Sequence, residues 1–292
     1  MKSFLEYSHK IGSNFLLCQG PGGNTSFKVD NKIFIKKSGF HLKDSKNKNI
    51  FEEIDLKKIQ NHYKTTKSKK YSNSLSIETP LHVLLNSNYV FHYHSLASVL
   101  LSLIFDKEYL NKFLVKNELI PISYMRPGLK LANEIVKMNQ DFQRGYYFLY
   151  NHGVVLEGNN LTKIYKDILR IEKIFGKLID YQLLKKTSQK ILKSNLEGKK
   201  FKNPNPNIDY LKYAGKYFFP DHAVFFPKFF KFDHNYLYFE KKLNNTELQY
   251  FKSVLILLTV LSGRDVKNFI SNLDGDKLLN SKDELLRKKL NI

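Results

Sequence analysis

The sequence predicts a mixed α/β fold, and three observations support that. Short runs of β-branched and aromatic residues alternate with stretches whose apolar residues recur at helical spacing. The longest such stretch, 161–183, carries Leu161, Ile164, Ile168, Ile171, Phe175 and Leu178 on one stripe. Of the 292 residues, 42% are hydrophobic and 14% aromatic, enough to fill one large or two modest cores.

In chain order, residues 3–16 read as a helix running into a turn. "QGPGGNTSFKVDNKIFIKKSG" (19–39) reads as a glycine-rich loop and a hairpin, with strands near 25–29 and 32–37 turning at Asp30-Asn31. Residues 42–74 are polar and lysine-rich, and predict loop with one short helix. A helix opens at "TPLHVLLNS" (79–87), where Thr79 can cap and Pro80 suits the first turn. The strand "YVFHYH" (89–94) follows, then a helix near 95–105, a strand near 119–124 and a helix over 129–138. "GYYFLYNHGVVLEG" (145–158) predicts two strands meeting at Asn151-His152-Gly153, followed by one long helix over 161–183. "FKNPNPN" (201–207) breaks the chain with two prolines, so a first domain is expected over 1–200 and a C-terminal accessory region over 201–292.

Composition narrows the functional classes. The net charge of +21 comes from scattered lysines, as in "KDSKNKN" (43–49), "KTTKSKK" (64–70) and "LRKKL" (286–290). No arginine-rich stripe with interleaved aromatics and no nucleic-acid-binding signature is present, so nucleic acid is not the expected partner. A positive field would instead attract a phosphorylated small molecule. The single cysteine, Cys18, excludes an internal disulfide and fits a reducing compartment. The first residues have no apolar signal-like run, and the greasiest stretch, "SVLILLTVLSG" (253–263), is too short to span a bilayer. A cytoplasmic protein without membrane contact is expected.

The chemistry concentrates in "YVFHYHS" (89–95). In a strand His92 and His94 project from one face, close enough to grip one ion. Two hydrogen-bonded core histidines would give the same pattern, so the pair needs company. His152, in "YNHGVV", supplies a third imidazole beside a glycine that permits a sharp turn. Three imidazoles with an open position are the layout of a catalytic zinc site, and imidazole ligation also admits other divalent transition metals. Glu78, in "SIETPLH", sits at a helix start and is a candidate general acid/base; His82, four residues on, is expected to pack. The glycine-rich turn "GPGGNTS" (20–26) and "KKSG" (36–39) expose backbone N–H groups that can hold an anion.

Taken together, "GGNTS", "KKSG", "SIETPLH", "FHYHS", "SYMRPG" and "NHGVV" resemble the motifs of the class II aldolase/adducin family, in that family's order, over roughly the first two thirds of the chain. The wording is most similar to the aldolase half of bifunctional rhamnulose-phosphate aldolase/alcohol dehydrogenases, and "FPDHAVF" (219–225) looks like that branch's post-aldolase segment. The resemblance implies a three-layer α/β/α sandwich around a mainly antiparallel sheet, assembled as a homotetramer. It implies zinc, or another divalent metal, on His92, His94 and His152, with Glu78 as acid/base and Tyr124 as a proton donor reaching a neighbouring subunit's site. Gly23, Asn24, Ser38, Gly39 and Ser76 are then the expected substrate or phosphate contacts.

The implied activity is a metal-dependent aldolase that acts on a ketose phosphate or related sugar through a metal-stabilised enediolate. A 4-epimerase, a dehydratase and a non-enzymatic adducin-like scaffold are the alternatives. One position departs from the family pattern. Two adjacent hydroxyl residues before the glutamate would touch phosphate, but this chain reads Ser76-Ile77, which puts the phosphate site in doubt. Lys28, Lys36 or Lys37 could compensate.

Overall fold

A computed structural model of the protein describes residues 1–66, 70–142, 145–208, 210–213, 216–226, 229–233 and 235–290. Lys67 and Lys69 of the lysine-rich 64–70 stretch lie outside them.

Helix α1 (Lys2–Ser13) leads into the hairpin β1 (Asn24–Val29) and β2 (Lys32–Lys36), whose turn puts Asp30 at φ 52°. The polar 42–74 stretch hides a strand, β3 (Phe51–Asp55), before α2 (Leu56–Thr65). Its sequence FEEID carries too many charges to read as a strand, and it stands at the sheet edge, where charged residues are tolerated. Next come α3 (Thr79–Leu84), β4 (Tyr89–Tyr93), α4 (Leu96–Ile104), α5 (Lys107–Lys116), β5 (Ile120–Ile122), α6 (Leu129–Phe142), β6 (Tyr146–Leu149) and β7 (Gly153–Gly158). The expected Thr79 cap is corrected: Glu78 holds the N-cap position of α3 without a side-chain cap, and Thr79 is already helical.

The single helix expected over 161–183 is two helices, α7 (Leu161–Phe175) and α8 (Tyr181–Lys193). The chain leaves α7 at Gly176, and the Asp180 side chain accepts from the Leu183 N–H to start α8. A side-chain cap competes with continued helix, and here it wins.

Strands β3-β2-β1-β4-β7-β6-β5 form one sheet in that order, antiparallel throughout except for the β5–β6 pair. Alternation along β4 divides its side chains. Phe91 and Tyr93 join the core made with α1, α4 and α7, while Val90 joins the opposite core with Leu81 of α3 and Ile135 of α6. Ile33 and Ile35 of β2 pack on Ile59 of α2 and Val83 of α3. The result is the α/β/α sandwich that the motifs imply.

Beyond it lie β8 (Leu196–Glu197), β9 (Lys200–Lys202), α9 (Pro220–Phe225), β10 (Phe229–Phe232), β11 (Tyr236–Phe239), α10 (Asn245–Leu261), α11 (Asn272–Leu279) and α12 (Lys282–Lys289). The four strands form a second small sheet. Helix α10 begins in a capping box of Asn244 and Glu247 and is apolar around most of its girth, so it needs cover on every side. It gets that cover in the main core: Phe251, Val254, Leu257 and Leu258 belong to the same cluster as Phe4, Leu100 and Phe148. The greasy run 253–263 lies in this helix up to Leu261, and among the described residues no helix is long and apolar enough to cross a membrane.

Because Leu257 is fully buried there, Leu257→Ala should cost the whole chain ~2–5 kcal/mol, read as a lower urea midpoint of one cooperative transition. A loss confined to a separate early transition would contradict the shared core.

Candidate metal centre

Strand β4 lies between β1 and β7, with Asn24 opposite His92 on one side and Val155 opposite His92 on the other. This central position takes His92, and His94 just past the strand's end, out of water; His92 is 0% and His94 4% exposed. The turn between β6 and β7 brings His152 to them. The bend itself falls on Asn151, at φ 53°, whose side chain donates to the carbonyls of Phe218 and Asn268. Gly153 has a different function from the one its sequence position suggests. A Cβ there would stand 2.3 Å from the Tyr93 carbonyl oxygen, so only glycine lets the turn close against β4.

The three rings meet, with centroids 4.7, 4.8 and 5.0 Å apart. Glu78 enters from the start of α3, its Oε1 3.1 Å from both His92 Nε2 and His152 Nε2. One ligand atom from each of Glu78, His92, His94 and His152 lies within 4.8 Å of all the others. His92 Nδ1 donates to the Val154 carbonyl at 3.1 Å, and His94 Nδ1 donates to Asp221 Oδ2 at 2.9 Å. Both rings therefore turn an Nε2 lone pair inward, and these two nitrogens face each other at 3.0 Å. Opposed lone pairs shut away from water repel unless a cation sits between them. Three imidazole nitrogens and a carboxylate fit a divalent transition metal in both number and softness.

The charges respond to this packing. Burial alone would raise the Glu78 carboxyl, but His92 and His152 outweigh it and hold the group well below the usual carboxylate range. Burial would lower His92, yet Glu78 reverses the sign and raises it. His152 is pushed down to about 4, because burial exceeds the pull of Glu78.

The other expected residues are placed as follows. Asn24 is 1% exposed, and neither its amide oxygen nor its nitrogen has a partner among the described residues, an orphan that a ligand would satisfy. The Gly23 N–H points at His94 Nε2 across 3.4 Å. Ser76 Oγ accepts from the Glu78 N–H at 3.2 Å, so it fixes the backbone that presents Glu78. The Ser38 N–H donates to the Ser74 carbonyl, and Gly39 follows at φ 82°. Lys36 ties the two loops together by donating to the carbonyls of Pro21 and Phe40; it is 2% exposed, and burial pushes it down to about 8. Tyr124 is not a member of the cluster. It lines a cavity of about 380 Å³ with Ile77, Arg126 and Lys277, and its hydroxyl has no partner among the described residues.

Asp221, Tyr250 and Arg287 were not singled out by sequence reasoning. Asp221 lies in the "FPDHAVF" segment, yet no spacing rule ties it to His94. The glycine loop is also held from this side: the Gly20 N–H donates to Gln249 Oε1 at 2.8 Å, and Tyr250 Oη lies 2.9 Å from the Gln19 carbonyl oxygen.

Known proteins place the chain in context. The sequence profile of the Class II Aldolase and Adducin N-terminal domain matches residues 3–178. No curated protein sequence matches the chain. Among solved structures, the N-terminal class II aldolase domain of a conserved protein from Thermoplasma acidophilum is 23% identical, covers 60% of this chain and 91% of its own, and superposes with a TM-score of 0.52. L-fuculose-1-phosphate aldolase from Thermus thermophilus is 16% identical over 63% of this chain and 98% of its own, with a TM-score of 0.44. A sugar-phosphate aldolase from Thermotoga maritima is 14% identical over 61% and 92%, with a TM-score of 0.48. At these identities the first likeness speaks for the fold.

His82, expected to pack, does so. It is 0% exposed, shares a 2.9 Å hydrogen bond with Ser26 Oγ, and burial pushes it down to about 3. The unfolded chain binds that proton near ~6.5, so between about 6.5 and 3 the unfolded state holds more protons and stability falls as pH falls. His82→Gln should therefore flatten the loss of melting temperature on acidification from pH 6.5 to 4. Equal slopes in the two proteins would remove His82 from the acid sensitivity.

Proposed function

The chain belongs to the class II aldolase and adducin family, and from that premise we propose that it is a metal-dependent lyase that breaks or forms a carbon–carbon bond in a ketose phosphate or a related sugar. The observation that carries this reading is the buried cluster of Glu78 with His92, His94 and His152. An adducin-like scaffold has no use for such a cluster, whose burial costs stability unless its charges are compensated.

Zinc, or another divalent transition metal, would be held by His92, His94 and His152. When bound it supplies Lewis-acid polarisation of the substrate's carbonyl and neighbouring hydroxyl oxygens. The protein's own groups do the rest. Glu78 is kept anionic by its histidine neighbours, and so is available as a base that carries a proton to and from the carbon beside the carbonyl. Its position is set by the Ser76 hydroxyl on its own N–H. The unpartnered Asn24 amide offers both a donor and an acceptor to substrate oxygens. Gly23, Ser38 and Gly39 shape the loops beside it, and Lys36 lends them positive charge. The Tyr124 hydroxyl, without a partner in its cavity, is the candidate proton donor for the aldehyde-side oxygen, and a homotetramer would set it against a neighbouring site. Ile77 faces that same cavity with no hydroxyl to offer a phosphate.

The test is a screen of metal-loaded protein against ketose 1-phosphates and free ketoses, assayed for cleavage and for epimerisation. Cleavage of one member supports the lyase. Epimerisation without cleavage would reassign the reaction on the same site. Glu78→Gln should keep the fold but lose ~10²–10⁴-fold in turnover, because an amide cannot carry the proton. Unchanged turnover would rule Glu78 out as the acid/base.

A further inference from the structure

The metal ligands all lie before residue 153, yet one of them is gripped from far beyond it. Asp221, on α9, is 1% exposed. Its Oδ2 accepts from His94 Nδ1 at 2.9 Å and from Tyr250 Oη at 2.8 Å. Its Oδ1 accepts from the Arg287 guanidinium on α12, and Arg287 also reaches Glu284 at 2.7 Å. Both carboxylate oxygens are therefore committed, and the group cannot rotate away from the imidazole. The glycine loop seals the contact. A Cβ on Gly22 would come within 2.7 Å of His94 Nδ1 and 2.8 Å of Asp221 Oδ2, so the loop's backbone lies directly against that hydrogen bond.

The three rings are held in different ways. His92 is oriented by a backbone carbonyl, and His152 Nδ1 has no partner among the described residues. Among the described residues, His94 is the one of the three with a carboxylate on its Nδ1. A carboxylate behind a ligating imidazole fixes its tautomer, aims the opposite nitrogen and makes that nitrogen a better donor.

We propose that Asp221 is a positioning residue of the metal centre, and that the region beyond residue 200 thereby completes a site whose ligands all lie in the family domain. The inference rests on the metal-dependent reading of that site. It gives the C-terminal region a defined chemical role. Helix α9 delivers the carboxylate, α10 and α12 lock it with Tyr250 and Arg287, and α10 pins the glycine loop beside it through Gln249. The competing account is that Asp221 serves only as the buried counter-charge of Arg287.

Two full-length variants separate these accounts. Asp221→Asn keeps the shape but removes the charge behind His94, whereas Arg287→Gln breaks the same ion pair and leaves the carboxylate on the imidazole. Zinc affinity, read by competition with a chromophoric chelator, should fall ~10–100-fold in Asp221→Asn. In Arg287→Gln it should stay close to wild type, although both variants lose thermal stability. If Asp221→Asn does not fold, the double variant Asp221→Asn/Arg287→Gln, which leaves no unpaired guanidinium, carries the same expected loss. Equal zinc affinity in wild type and in Asp221→Asn, or equal losses in the two single variants, would overturn the positioning role alone. A wild-type protein that binds no divalent metal would overturn the functional reading, and this inference with it.

Discussion

Three imidazoles and a carboxylate are packed together where water does not reach, and the rest of the molecule is arranged around that concentration of polar groups. A buried carboxylate is costly unless it is paired and hydrogen-bonded. Glu78 Oε1 stands 3.1 Å from the Nε2 atoms of His92 and His152, and these two neighbours hold its carboxyl well below the usual carboxylate range against the effect of burial. His92 and His94 donate outward, to Val154 and Asp221, while their remaining nitrogens crowd inward. Inward-facing nitrogens that repel one another are a state of the protein that a cation relieves. The scaffold can hold them in place because β4 is a central strand, hydrogen-bonded on both sides, and because Gly153 lets the β6–β7 turn close onto it.

The same constraint explains the C-terminal third. A buried Asp221 would itself be an uncompensated charge, so Arg287 and Tyr250 stand behind it. Burial would raise its carboxyl, but the guanidinium and His94 outweigh burial and keep it far below the usual range. Arg287 in turn leans on Glu284, which burial pushes up to about 7. A chain of buried charges thus runs from α12 to the His94 ring. Such networks hold when every member is satisfied and fail sharply when one is removed. Apolar packing carries the same coupling, since α10 is wrapped by the main core rather than by a core of its own.

Most of the ligand set was legible because it obeys local rules. The period of two along "YVFHYH" put His92 and His94 on one face, and the structure keeps them there. Glu78 was legible from its place before a proline-started helix, although the cap itself fell on Glu78 and not on Thr79. The glycine after His152 marks the turn in the sequence, but the positive φ belongs to Asn151, and the glycine is required by the approach to Tyr93. Illegible features depend on contacts between distant residues. Asp221 and His94 meet only through the packing of α9, and nothing in "FPDHAVF" announces it. Edge strand β3 escaped because its charges suit an edge. The split of 161–183 escaped because a continuous apolar stripe hides the side-chain cap at Asp180.

The most direct test of this account is X-ray absorption on purified protein loaded with one equivalent of zinc. Stoichiometric binding is expected, with a low-coordinate site and imidazole scattering from three histidines at ~2.0–2.1 Å. A first shell of oxygens alone, or no zinc retained after dialysis, would contradict it.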